Sequence, residues 1–514
     1  MNMTPALSKS NLVSFAQHPL VLALAVLLVS LVYGVALAYS ISPLWLIAVP
    51  VAAAVGLAAL FKPELAAIAL LGITWGYISE TANKFHGVPS LTKPLVGLLV
   101  LTLIVRRFSG RRERFVADTT IWWMLAYLIV IFVGVLYARY PDRVLMLVGD
   151  FAKDFALFLV LINLVTSTKN FERCIWLLLA VGALLGTLTV IQEATHNYEA
   201  TFGGLARMKI AQIAEGIRDR PRAGGPTSEP LAFGQQLLVL VPLGLWAMLH
   251  SRSFFGRVFA AGATIACLAG VGLSFSRSSY LALAAALALF ALHIRLNPRY
   301  MLLMLAICGV LLWTAPPEFT ARFQTLQNLL PGEMGVSLEE QGVRSEASYE
   351  MRSIQLGIAV DMFVDHPILG VGAWNFTELY PEYVNQRGSA IAESFGPPHN
   401  YYLEIASEHG VIGLIVILGI LMLTFSRLRM AQRLFKITGN HRLSELAVAL
   451  QIALVGYLIS ATFLHGLYSR FLWLQVSLAI AFALIAQQSA KRRGVPVAQR
   501  QTAGGSMLHA RDLA

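Results

Sequence analysis

One unit recurs along this chain and decides what it can become: an apolar run of about twenty residues, the length an α-helix needs to cross a hydrocarbon core of roughly 30 Å. The segment "VIGLIVILGILML", from 411 to 423, opens one such run. At that depth peptide groups find no water, so each run must satisfy its own backbone as a helix. About fourteen runs are expected, between twelve and fourteen allowing for two short ones, centred near residues 30, 52, 71, 98, 129, 155, 182, 240, 265, 286, 307, 413, 452 and 477. The expected fold is therefore an all-α polytopic membrane protein. The usage agrees, with 57% hydrophobic and 13% charged residues among 514 and a mean hydropathy of +0.66, far from a soluble domain. The first run, near 19–38, exceeds the apolar part of a signal peptide and is read as an uncleaved span.

A net charge of +11 raises the question of nucleic acid. The basic residues, however, sit in short clusters between apolar runs, without a basic groove interleaved with aromatics, so no nucleic-acid partner is expected. "RRFSGRRER" (106–114), "RLRMAQRLFKITGNHR" (427–442), the "KRRG" beginning at 491, and the pairs Arg252/Arg257 and Arg295/Arg299 all fall on one side once the runs are counted. By the positive-inside rule that side is the cytoplasm. The two long connections, 194–230 and 316–398, then lie on the outer side. Residues 1–118 read as N-terminal membrane helices, 119–488 as the main membrane domain, and 489–514 as a disordered cytoplasmic tail. Cys174, Cys267 and Cys308 lie inside apolar runs and read as packing residues rather than disulfide or metal chemistry.

Ionisable groups gather where the second outer connection meets the membrane. In "GPPHNYYLEIASEHG" (396–410), Pro397 and Pro398 suit the turn before a helix, which then runs to a first stop near Gly410. Asn400, Glu404 and Glu408 recur at i, i+4 on one stripe, with His399 beside it at the positive end of the helix dipole. That field disfavours an imidazolium, so His399 is placed to stay neutral, as a general base for a hydroxyl must be. Asn400, Glu404 and Glu408 read as supporting groups, the two glutamates because they run on into the apolar segment and need partners there; the competing reading makes His399 and Asn400 merely capping and interfacial groups.

Three arginines complete the set. Arg222, in "DRPRAGGPTSEPLAFGQQLLVLVPL" (219–243), precedes a Gly-Gly-Pro turn at the outer surface and suits an anionic headgroup; a solvated interfacial anchor is the alternative. Arg277, in "GLSFSRSSYLALAAALALF" (272–290), lies between two runs with almost no loop, where arginine is costly by ~2.5–3.5 kcal/mol unless it is used or snorkels. Arg352 lies one turn before the apolar helical spacing of Ile354, Ile358 and Met362. Asp361 and Asp365 are four apart, but no third ligand is evident, and Asp365 before His366-Pro367 reads as a helix stop. Gly370 and Gly372 read as a turn rather than an anion nest. No metal is expected and no cofactor, since no P-loop, dinucleotide fingerprint or zinc spacing is present.

Four segments in order, "RAGGPTSEPLAFGQ" (222–235), "SRSSYLAL" (276–283), "HPILGVGAWNF" (366–376) and "HNYYLEIASEHGVIGL" (399–414), resemble the O-antigen ligase and polymerase superfamily of bacterial inner membranes, over about 120–485. The resemblance implies a GT-C-like architecture. It also implies transfer of an oligosaccharide from a polyprenyl diphosphate donor to a hydroxyl of a saccharide acceptor, without metal or nucleotide. The essential histidine maps to His399, and the diphosphate-holding arginines map to Arg222 and Arg277, with Arg352 the third. Within the superfamily, "RAGGPTSEPLAFGQQL" is more similar to polymerases of O-antigen or exopolysaccharide repeat units, possible partners of a chain-length regulator, than to ligases acting on lipid A core or on protein. A flippase for lipid-linked sugars is the rival from another class, and Asp150, Lys153 and Asp154 in "LVGDFAKDFALF" are the charges that would serve it.

Overall fold

The computed structural model describes residues 61–108, 118–209, 221–294, 339–387, 396–464 and 470–495, together with residues 56, 59, 116, 212–214, 217–218 and 466. The expected runs near 30, 52 and 307, Cys308, Arg295, Arg299 and the tail from 496 lie outside them. Among the described residues the chain is all-α apart from two small antiparallel strand pairs in the connection 194–230. Helices α1 (Pro63–Trp75) and α2 (Ile78–His86) are followed by α3 (Thr92–Phe108), α4 (Thr119–Val133), α5 (Pro141–Leu164) and α6 (Thr168–Thr195). Strand β1 (Met208–Lys209) pairs antiparallel with β4 (Arg222–Ala223), and β2 (Gln212–Ala214) with β3 (Ile217–Arg218). Next come α7 (Pro230–Leu238), α8 (Leu240–His250), α9 (Phe254–Leu273) and α10 (Arg277–Ile294), then α11 (Glu339–Asp365), α12 (Phe376–Gln386), α13 (Tyr401–Ile437), α14 (His441–Ala461) and α15 (Arg470–Arg492).

Among the described residues seven helices are long and apolar enough to cross a membrane, or eight if α1 and α2, bent by 60°, form one broken span. The expected count of about fourteen is neither reached nor overturned among the described residues. Besides the three runs outside the described residues, those near 98, 155 and 286 are helices that fall short of the mark. Helix α3 has 17 residues, the apolar part of α10 ends at His293, and α5 carries Asp150, Lys153 and Asp154 around its middle. Helix α15 runs on to Arg492, past the expected start of the tail at 489.

Burial sorts the spans into an inner and an outer group. The span Pro230–His250 is 89% buried, α15 83% and α14 72%, against 28% for Thr119–Leu136 and 39% for α9. Because lipid tails are as apolar as leucine, the inner helices are held by close packing and interhelical hydrogen bonds. Gln235 and Gln236 of α7 donate to the carbonyls of Tyr457 and Trp75, at 3.1 and 2.5 Å. Gly186 of α6 lies so near α9 that a Cβ there would meet the Ala266 carbonyl oxygen at 2.2 Å. Pro242 withholds the amide that would bond to Leu238, which accounts for the interruption between α7 and α8. Outer helices turn Trp122, Ile129, Phe132, Phe254, Phe255 and Met422 outward, as a lipid-facing surface requires.

The two ends of the bundle differ. At one end basic residues pair with acids and carbonyls: Arg106 with Glu64, Arg427 with Asp118, Arg442 with Glu172 and Arg493 with the Thr438 carbonyl. At the other end the long connections dock: His86 on Gly203, Arg139 on Glu382, Arg143 on Glu378 and Tyr140 on Asn375. The basic clusters that are described thus share one end, opposite the loops, as the sequence count expects. Helices α11 and α12 carry a small core of their own, with Ile358, Met362, Phe376 and Tyr380 fully enclosed. Ile358 and Met362 are the apolar spacing read from the sequence.

Candidate functional site

The first element of the site is a broken helix. Helix α13 is interrupted at Gly410, whose φ of 63° and ψ of −165° no other residue adopts cheaply. The backbone groups freed there are taken by the turn 366–372. Val371 N donates to Ser407 O at 2.8 Å, Gly372 N to Glu408 O at 2.9 Å and Val411 N to Pro367 O at 2.8 Å. Contact is backbone to backbone, so a Cβ on Gly370 would meet the Glu408 carbonyl carbon at 2.3 Å. Gly370 and Gly372 are therefore a docking turn, and their amides are spent on carbonyls rather than on an anion. Two segments far apart in sequence, "HPILGVG" and "ASEHG", exist as one structure, and the first stop near Gly410 read from the sequence is this break.

His399 precedes the cap of the upper half-helix. Asn400 is the cap, its Oδ1 accepting from Tyr402 N and Leu403 N at 3.0 Å each, so the capping alternative holds for Asn400. The imidazole of His399 is held below its ordinary titration range, first by burial and then by the positive charges of Arg352 and Lys209, with Glu229 opposing them. Lys209 and Glu229 are ion-paired at 2.8 Å. Of the arginines expected in the site, Arg352 is thus an electrostatic neighbour of His399.

Arg222 and Arg277 lie on the adjoining surface. In the β1–β4 ladder Arg222 faces Lys209, which places it one strand from the His399 neighbourhood. Its guanidinium donates to the carbonyls of Ser274 and Phe275, at 3.3 and 3.1 Å. Those carbonyls belong to the turn between α9 and α10, so Arg222 ties the connection 194–230 to the start of α10. Arg277 is the first residue of α10 and is exposed, while Ser274, Ser276, Ser278 and Ser279 around it are buried. Ser276 Oγ lies 3.0 Å from the hydroxyls of both Ser278 and Ser279, a network that fixes the turn.

Below this surface, between α4, α5, α13 and α15, is a partly open cavity of about 80 Å³. Glu404, Glu408 and His409 line it with Tyr127, Asp154 and Trp473; none of His399, Arg222, Arg277 and Arg352 does. The expected set therefore divides into an upper surface and a lower cavity. Glu404 accepts from Gly466 N at 2.5 Å, and Glu408 from Phe376 N at 3.3 Å, the first amide of α12, where a helix N-terminus favours a carboxylate. His409 packs on Tyr127 with ring centroids 5.6 Å apart; neither ring nitrogen meets hydrogen-bonding geometry, although the ring faces the Ile405 carbonyl. Arg470 closes one side, bridging Asp154 at 3.1 Å and Glu80 at 2.6 Å. Carboxylates set among aromatic rings suit hydroxyl-bearing rings better than anions.

Sequence reasoning missed Lys209, Glu229 and Arg470. Glu229 sits inside a quoted motif and could have been found by asking what opposes the arginines, whereas Lys209 carried no signal. Asp361 is occupied by Arg387, whose Nη2 lies 2.7 Å from Asp361 Oδ1. Asp365 ends α11, as expected, and accepts from the Tyr383 hydroxyl. Among the described residues no group of three or more His, Cys, Asp or Glu side chains is gathered to hold a metal ion.

The family model described as O-antigen ligase matches residues 262–418. That stretch contains Arg277, Arg352, His399, Glu404 and Glu408 and the whole of the broken-helix junction, and it bears out the family resemblance read from the sequence. It is narrower than the expected 120–485 and leaves out Arg222 and the "RAGGPTSEPLAFGQ" motif. No curated protein matches the chain.

Proposed function

From a membrane protein that carries an O-antigen ligase segment, we propose a glycosyltransferase working on the outer face of a bacterial inner membrane. It moves oligosaccharide units from a polyprenyl diphosphate carrier to a saccharide hydroxyl, in building a surface polysaccharide. The observation that carries this reading is the setting of His399. Burial, Arg352 and Lys209 keep the imidazole neutral, at the bundle end opposite the basic clusters and just above a junction within the matched segment.

The acceptor oxygen attacks the anomeric carbon as the bond from that carbon to the diphosphate oxygen breaks. The hydroxyl proton passes to His399, and the polyprenyl diphosphate leaves. Charge growing on the leaving group is met by preorganised guanidinium donors, each worth ~2.7–4 kcal/mol in a water-poor site. Exposed Arg277 and Arg352 are assigned this role. Arg222 both contributes charge and, through Ser274 and Phe275, positions the turn that presents Arg277. The reaction as written calls on no metal or nucleotide.

In lipid nanodiscs, purified protein given a polyprenyl-diphosphate oligosaccharide and an acceptor glycan is expected to form the longer product without ATP or added metal. His399→Ala is expected to lower kcat by ~10²–10⁴ with donor binding retained. Arg277→Ala is expected to weaken donor binding as well. Full turnover by His399→Ala would remove the base assignment.

A carrier for lipid-linked sugars has one observation in its favour, the two interrupted helices α1–α2 and α13. Its charged set is closed on itself, with Asp154 and Glu80 on Arg470, and Asp150 on Lys153. Movement of a fluorescent lipid-linked sugar across liposomes without product formation would favour the carrier.

A further inference from the structure

At the basic end of the bundle, helices α10, α13 and α14 leave a groove of about 410 Å³. Its rim carries Arg429 and Arg433, one turn apart on α13, and His293 from the last turn of α10; Leu289, Phe425 and Ile452 form the apolar floor. No carboxylate lines it. Five other arginines at this end are engaged: Arg106, Arg427 and Arg442 by carboxylates, and Arg257 and Arg493 by carbonyls. Arg429 and Arg433 make no hydrogen bond or ion pair with any described residue, and both are exposed.

We propose that this groove is a binding site for an anionic phospholipid of the inner leaflet, its phosphate held by Arg429 and Arg433 and its acyl chains lying along the apolar floor. Two guanidiniums at i, i+4 offer parallel N–H forks that match a phosphate diester. Basic pockets between membrane helices on the cytoplasmic side are where such headgroups are held. Charge and shape agree, because Arg429 and Arg433 rim the groove while Leu289, Phe425 and Ile452 line it beside the mutually hydrogen-bonded amides of Gln432 and Gln451, so a free phosphate would leave the apolar lining unused. The site lies at the opposite end of the molecule from His399 and does not depend on the catalytic reading.

The test is native mass spectrometry of the full chain, released from nanodiscs of phosphatidylcholine doped with cardiolipin or phosphatidylglycerol. Wild-type protein is expected to retain anionic lipid, and the double variant Arg429→Gln/Arg433→Gln to retain at least fivefold less. Lys436→Gln, an exposed basic change on the same helix outside the groove, should behave as wild type. A thermal melt in each lipid gives a second reading: cardiolipin should raise the wild-type midpoint and leave that of the double variant unmoved. Equal retention by wild type and double variant overturns the proposal. So does displacement of the lipid by millimolar inorganic phosphate, which would mark a free-anion site.

Discussion

A histidine one residue outside a helix cap answers to whatever charges the tertiary structure sets beside it. For His399 burial and two cations favour the neutral ring, and one carboxylate favours the charged one. The sign follows directly. With the pKa below the usual 6.5, the basic form is present at neutral pH, and transfer should fall only as pH drops below that value. Arg352→Gln removes a cation that depresses the pKa, so the acid limb of the kcat/KM profile should move to higher pH. Glu229→Gln removes the opposing carboxylate and should move the limb to lower pH. Measured pH–rate profiles of the two variants shifting in the same direction would dissociate His399 from these neighbours. The string "HNYYLEIASEHG" thus singled out His399 as the ring to test, but not which charges face it, because Lys209 and Glu229 lie 190 and 170 residues away in sequence.

At the scale of elements, the broken helix α13 and the turn 366–372 form one unit, closed by backbone hydrogen bonds at a depth where unsatisfied amides are expensive. Glycine at 410 is required twice, by its φ of 63° and by the Ile368 carbonyl oxygen that would lie 2.3 Å from a Cβ. Gly410→Ala is expected to cost about 1–3 kcal/mol in backbone strain alone, with a lower unfolding midpoint in a detergent thermal melt and loss of transfer. An unchanged midpoint would mean that the break does not need glycine. Both glycine-rich segments were visible in the sequence, and so was the stop near Gly410. Their mutual docking was not, since hydrogen bonds between main chains leave no pattern in side-chain type.

For the molecule as a whole, the separation of a basic end from a loop-bearing end fixes where each site can work. Cysteine introduced at Ser253, between α8 and α9, should react with a membrane-impermeant maleimide only after the inner membrane is permeabilised. Cysteine at Asn197, just after α6, should react in spheroplasts without that step. The reverse pattern would invert the orientation and place His399 in the cytosol. The span count shows what hydropathy by itself leaves open. Apolar length proposes a span at α5, but Asp150, Lys153 and Asp154 leave it short of the apolar content that a simple crossing helix shows.

The amino-acid sequence by itself determined an all-helical membrane protein, the common side of its basic clusters, and a superfamily resemblance resting on four motifs. Each of these follows from local periodicity, charge in short loops, or residue identity at fixed spacing. Only the tertiary structure decided that Glu404 and Glu408 line a cavity that His399 does not enter, that Arg222 engages carbonyls beside Arg277, and that Arg429 and Arg433 rim a groove with no partner among the described residues while Arg427 and Arg442 are paired. Those outcomes depend on which helix packs beside which, and thus on distances between residues whose separation along the chain carries no information about their contact.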